Sequence, residues 1–472
     1  MKNTRRNFIV AIMAVCMLMA GCSESSDSSS AASAKSTTSS GSSKSLISTV
    51  SESESETENE SVQATTAAAT DNTDDEDIAE NASETESEDD DGLFTKRDLA
   101  QTADTDDAET LTVSDGQTID ITEAGVYILT GTAKNCTVRI EVDSEEKVQL
   151  VLDGVSITND DFPAIYVVNA DKVFVTTVEG TENELSVTGQ FTADGDTNTD
   201  AVIFAKDDIV LNGLGTLNIT SSYGNGISGH DDMKITGGTY NITSALDAIE
   251  ANDSILIADG TFNINTSKDG LHCENDDDDT QGYIYILGGT FNITANSDGI
   301  QGTTFVQIDG GTFDISASEG IEGTAIQIND GTISISASDD GVNASRKSTA
   351  YDVYFEMNGG SLTVTMSGGD VDCIDANGSV YVNGGTIELN YPEQGPSESF
   401  DYDQTAEFNG GTIIINGTEV DSIPQPMMMG GGGRGDMGGG FGEDFGGDMG
   451  GDFGGGRGGR GGGDFGGRGM NA

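Results

Sequence analysis

Nine times between residues 215 and 415 the chain repeats one phrase, a glycine and a threonine followed by two apolar residues that flank a third. The copies begin at Gly215, Gly238, Gly260, Gly289, Gly311, Gly331, Gly360, Gly385 and Gly411, with Ser361 in place of threonine in the seventh, at spacings of 23, 22, 29, 22, 20, 29, 25 and 26 residues. A period near two dozen that tolerates insertions describes stacked coils rather than a closed globule. Each coil adds an apolar-x-apolar strand before the phrase, such as Ile255-Leu256-Ile257 or Val380-Tyr381-Val382, and a short third piece after it, such as Asp298-Gly299-Ile300. Alternation at period 2, β-branched residues, and turns of Gly, Asn and Asp predict a parallel β-helix. A leucine-rich repeat shares the period but needs a helical stretch per coil, and no copy contains one.

The alternation assigns columns. Leu217, Tyr240, Phe262, Phe291, Phe313, Ile333, Leu362, Ile387 and Ile413 fall on one side of their strands, with Ile219, Ile242, Ile264, Ile293, Ile315 and Ile335, and are predicted to form the core. Cys273 shares a column with Ala251, Gly302, Gly323, Ala344 and Ala376, while Cys373 replaces the Gly or Ala of the Asp-Gly-Ile phrase, so both read as small buried residues. With Cys136 they make an odd set that cannot pair completely, and the fold has to stand without a disulfide framework.

The ends differ from this body. Lys2, Arg5 and Arg6 precede an apolar run from Phe8 to Ala20, the layout of an export signal over 1–21. Met19-Ala20-Gly21-Cys22 resembles a bacterial lipoprotein signal, which implies acylation of Cys22 and a membrane-anchored protein exposed outside the cytoplasm. Residues 22–109 hold few apolar side chains and many acids, so they are predicted to form a disordered, self-repelling stalk. Residues 426–472 carry clusters of Gly with Phe, Met, Asp and Arg and read as a disordered tail, leaving 110–425 as the folded domain. The whole chain has 82 acids against 20 bases, a formal charge of −62, which repels phosphate backbones and argues against nucleic-acid binding.

The acids form columns too. Asp247, Asp269, Asp298, Glu319, Asp340 and Asp372 precede the Gly/Ala-apolar phrase in successive coils, and Asp207, Asp231 and Asp253 align further on. Stacking brings equivalent positions to roughly 4.7–4.9 Å, where like charges repel by about 1 kcal/mol per pair even in water. Calcium is the natural compensator, because it takes six to eight oxygens in flexible geometry. His230 and His272 are the only histidines, too few for ordinary zinc or copper sites. Solvated turn acids with raised pKa values are the competing reading of the same columns.

Lys206-Asp207-Asp208-Ile209, Asp269-Gly270-Leu271, Gln281-Gly282-Tyr283-Ile284 before Gly288-Gly289-Thr290, and Asp298-Gly299-Ile300-Gln301 resemble, in that order, the bacterial carbohydrate-binding domain-containing proteins. Val148 to Val155, Pro163-Ala164-Ile165-Tyr166 and Glu179 to Asn183 resemble the N-terminal coils of the same family, so the likeness spans about 110 to 420. It implies a right-handed parallel β-helix similar in fold to polysaccharide lyases, binding of cellulose or pectic chains, calcium as the bound ion, and no established catalysis. A calcium-dependent lyase is the alternative, with Lys268 as the base and Lys206 and Lys234 behind it. A lysine beside Asp269, however, has its pKa held up, the wrong direction for a base near neutrality. A surface adhesin without a glycan ligand is the third reading. For a binder, alternation turns Tyr283, Tyr285 and Tyr381 outward, where their rings can meet sugar faces. The expected partners are polysaccharide and, through Cys22, a membrane; the expected state is a monomer.

Overall fold

The computed structural model describes residues 92–368, 371–392 and 397–426. These residues form a β-solenoid without a helix. One sheet of thirteen strands collects the recurring phrase from every coil, and a sheet of twenty-three collects the other two pieces. Apart from an isolated antiparallel bridge between Asp194 and Thr197, the pairings among the described residues are parallel except where Thr418–Val420 folds back on Thr412–Ile415 and covers the last edge.

The predicted columns stack in register: Leu217 pairs with Tyr240, then Phe262, Phe291, Phe313, Ile333, Leu362, Ile387 and Ile413. The four rings lie face to face, at 5.3, 4.6 and 4.5 Å between centroids. Cys136, Cys273 and Cys373 are free and buried. The glycine of the phrase has a backbone reason. Gly289 and Gly311 sit at φ of 114° and 106°, and a Cβ at Gly289 would lie 3.0 Å from the carbonyl oxygen of Gly260 in the coil below. Each coil thus turns into its threonine through a conformation that other residues resist.

Folded structure is described from residue 92, earlier than the boundary at 110. Residues 92–101, assigned from composition to the stalk, lie across the twenty-three-stranded sheet. Phe94 is 2% exposed against Leu256 and Tyr285, and the Arg97 guanidinium lies 4.3 Å over the Phe174 ring. Asp98 is fully buried, 3.5 Å from Lys172 and 3.3 Å from Lys234. Burial alone would raise its pKa, but the two lysine charges and the Thr95 backbone N–H hold it below the usual carboxylate range. Averaging over 22–109 hid Leu93-Phe94 followed by Lys96-Arg97 in an otherwise acidic stretch. Asp98→Asn should cost about 2 kcal/mol, less than the loss of a fully buried partner, because Lys172 and Lys234 keep 12% and 14% exposure. Urea unfolding of the two proteins checks this; an unchanged midpoint would show that the segment is not held by its charge. The signal segment, Cys22, the stalk before residue 92 and the tail from 427 lie outside the described residues.

Candidate functional site

Two polar columns run side by side along the twenty-three-stranded sheet. The first is the predicted acidic ladder, and the structure shows how it tolerates its own charge. The Asp269 backbone N–H donates to Asp247 at 2.9 Å, that of Asp298 to Asp269 at 2.8 Å, that of Asp372 to Asp340 at 3.0 Å, and that of Glu398 to Asp372 at 2.7 Å. These carboxylates therefore each receive a main-chain donor from the next coil, a source of compensation that composition does not reveal.

The second column was missed. It occupies the position after the apolar residue of the Asp-Gly-Ile phrase, and register stacks Ser228, Glu250, His272, Gln301, Glu322, Asn343, Asp375 and Asp401. The signal was available: in these eight coils this residue is polar and, by alternation, opposite to the buried neighbours on either side, whereas the coils before them place Phe204 and Tyr166 there.

Where the columns meet, two clusters gather ligand atoms within 4.8 Å of one another, Asp247 with Glu250 and His272, and Asp298 with Glu319 and Glu322; a third, Asp208 with Asp231 and Asp232, lies further along the coils. Asp269, Asp340 and Asp372 lie in the ladder outside these clusters; Asp207 accepts from the Ala170 backbone N–H at 3.1 Å and Asp253 from Asn275 at 2.6 Å.

The first cluster is already neutralised by the chain. Lys268 donates to Asp247 at 2.7 Å, and His272 Nδ1 lies 3.3 Å away. Burial would raise the Asp247 pKa, but His272 and Lys268 outweigh it and hold the carboxyl well down. Burial pulls His272 and Lys268 down, but Asp247 and then the neighbouring carboxylates together leave both raised. Lys268 is thus a paired ammonium.

The second cluster fits a cation better. Burial first, then Asp269, Glu319 and Glu322, push the Asp298 carboxyl up, and burial with the Glu322 and Asp340 charges raises Glu319 to about 7. Lys347 takes one Glu322 oxygen at 2.8 Å, and the Asn343 side chain donates to Glu319 at 2.9 Å. The other end of that amide, Asn343 Oδ1, is buried with no hydrogen-bond partner, alone among the described residues in this. Such an orphan costs about 1–3 kcal/mol. Three carboxylates and an unused amide oxygen make a donor set that suits a hard, oxygen-seeking ion.

The family profile described as carbohydrate-binding domain-containing protein matches residues 115–370 and 316–423. The chain belongs to this family. A carbohydrate-binding domain-containing protein of Acetivibrio thermocellus is 36% identical over 140 residues, 29% of this chain and 48% of that one, so the chain spans about half the length of that relative. A solved structure of "the polysaccharide lyase-like protein from C. thermocellum", a gadolinium derivative, is 20% identical and covers 67% of this chain and 99% of its own, with a TM-score of 0.38. At that score the likeness carries no argument.

For a family of carbohydrate binders the three tyrosines are the natural place to look, and there the structure corrects the expectation. All three point away from the central core, as alternation requires, yet they are covered. Tyr285 is 2% exposed beneath Phe94, and its hydroxyl donates to Asp309 at 2.5 Å. Tyr283 stacks on buried Phe305 at 4.8 Å, and Tyr351 packs edge-on against the same Phe305. Tyr381 is half-buried, 6.4 Å from the Tyr354 ring. Alternation sets the side of a strand but says nothing of what a distant segment lays over it. The tyrosine that is widely exposed, at 54%, is Tyr223, in the turn after Thr216–Ser221.

Proposed function

We propose that this is a non-catalytic polysaccharide-binding protein of the cell surface that captures anionic, pectin-like chains through calcium held on the acidic lane. The observation that carries the reading is the cluster of Asp298, Glu319 and Glu322 beside the orphaned Asn343 oxygen. On a chain of formal charge −62 an anionic glycan needs a bridging cation, and three convergent carboxylates here could hold one. The Met19-to-Cys22 phrase and the acidic stretch behind it support display on a lipid anchor at Cys22. The lyase alternative requires a free base, and Lys268, the best placed, is held as a cation by Asp247.

Retention on polygalacturonate should therefore need calcium, vanish in chelator, and weaken about tenfold or more in Glu319→Gln/Glu322→Gln. The near-ultraviolet absorbance of unsaturated uronate should stay flat. A rising absorbance abolished by Lys268→Ala would overturn the non-catalytic reading. Chelator-insensitive retention would overturn the calcium bridge, and no retention on any polysaccharide would favour the adhesin.

A further inference from the structure

The thirteen-stranded sheet carries a second surface of opposite electrostatic character. From Thr216 to Ser336, six consecutive strands turn three side chains each to solvent, and these eighteen positions are Thr, Asn and Ser with one charge, Asp314. A neutral strip of this length stands out on a chain with 82 acids. Along its middle lies a shallow groove of about 540 Å³, floored by Asn218, Asn241, Asn263 and Asn292 and bordered by Thr243 and Thr294.

The floor is preorganised. Asn241 donates to Asn218 at 2.7 Å, Asn263 to Asn241 at 2.8 Å, and Asn292 to Asn263 at 2.9 Å. A primary amide offers two N–H donors and two acceptor lone pairs. A ladder uses one of each, so the inner amides keep one donor and one acceptor for an outside partner, already fixed in direction and with little rotamer freedom left to lose. A second asparagine ladder, Asn329 to Asn358 to Asn383, runs along half-buried turn positions, where it stitches the coils together. Asn263 and Asn292 are exposed, so satisfying buried groups does not explain them.

We propose that this face is a binding track for an uncharged, extended polysaccharide lying along the solenoid axis, with one amide per coil of about 4.8 Å addressing its hydroxyl groups. The inference rests on the reading of the protein as a carbohydrate binder, but it names a different surface, a different ligand charge and no metal. Amide and hydroxyl groups can each donate and accept, as sugar hydroxyls do, and with Asp314 as the one charge lining the groove nothing there would attract an anionic chain.

The test uses the full chain with amorphous cellulose and a soluble mannan as neutral probes and polygalacturonate as the anionic one, each with calcium and with chelator. The expected result is retention on a neutral probe that chelator leaves unchanged. It should weaken about tenfold in Asn241→Asp/Asn263→Asp, and measurably in Thr243→Val/Thr294→Val, which removes bordering hydroxyls and leaves the ladder intact. Melting curves of both variants close to the parent show that the fold is kept. Retention by both variants equal to the parent's would overturn the proposal, as would binding of polygalacturonate alone, which leaves the acidic-lane reading standing. Failure on all three probes would remove both.

Discussion

In chelator, the melting temperature of this protein falls as the pH rises from about 4 to about 8, and excess calcium restores it at the alkaline end. Glu319, Asp340 and Asp375 have their carboxyls raised to about 7, by burial first and by neighbouring carboxylates second. In the unfolded chain the same groups ionise near pH 4. Between those values the folded state holds more protons than the unfolded one, so each upward step in pH favours unfolding until both states are ionised. Asp98 and Asp247 act in the opposite sense, since their depressed pKa values add stability above the ordinary carboxylate range that is lost only on strong acidification. Stability should therefore peak on the acid side of neutrality. On the proposed reading calcium would take the ionised lane, so its effect should be absent near pH 4 and reach about 2.7 kcal/mol at a hundredfold excess over its dissociation constant. Calorimetry across the pH range, with and without calcium, reads both arms. A profile flat in pH would refute the account of the raised carboxyls, and coincident curves at pH 8 would refute the calcium site.

Phe291→Ala should cost about 3–5 kcal/mol. The ring is fully buried, stacked at 4.6 Å on Phe262 and 4.5 Å on Phe313, so truncation opens a cavity in the middle of a column and leaves two faces without a partner. Phe291→Leu should cost far less, because the same column accepts Leu217 and Leu362 in other coils. Chemical unfolding measures both. Because each coil touches only its neighbours, the loss should also appear as faster hydrogen exchange over Thr261–Ala317 than over the distal coils. A cost below about 1 kcal/mol for the alanine variant would show that the ring is not a core residue.

These two results draw on different amounts of sequence information. The aromatic column was legible because a strand's two faces alternate strictly and the recurring phrase marks the start of each strand, so counting residues assigns every side chain to a side. The acidic ladder was legible for the same reason. Its partner column, with Glu250, His272, Glu322 and Asn343, was equally countable but less visible, because its residue type changes from coil to coil and no repeated side chain marks it.

Local alternation, the glycines that turn each coil, and the recurrence of one short phrase are properties of neighbouring residues, and they alone determined the solenoid, its core and the sides on which its polar columns stand. What covers a column, and which acids converge on one point, belongs to contacts between residues far apart in the chain. Phe94 lies over Tyr285, Asp98 joins Lys172 to Lys234, and Ser348 donates to the Asp279 carbonyl to hold its loop in place. Asp207, Asp231 and Asp253 stand at equivalent register positions, yet of the three only Asp231 joins a cluster, with Asp208 and Asp232. Only the folded chain decides such meetings, because their free energy comes from burial and charge pairing that exist once the distant partners are brought together.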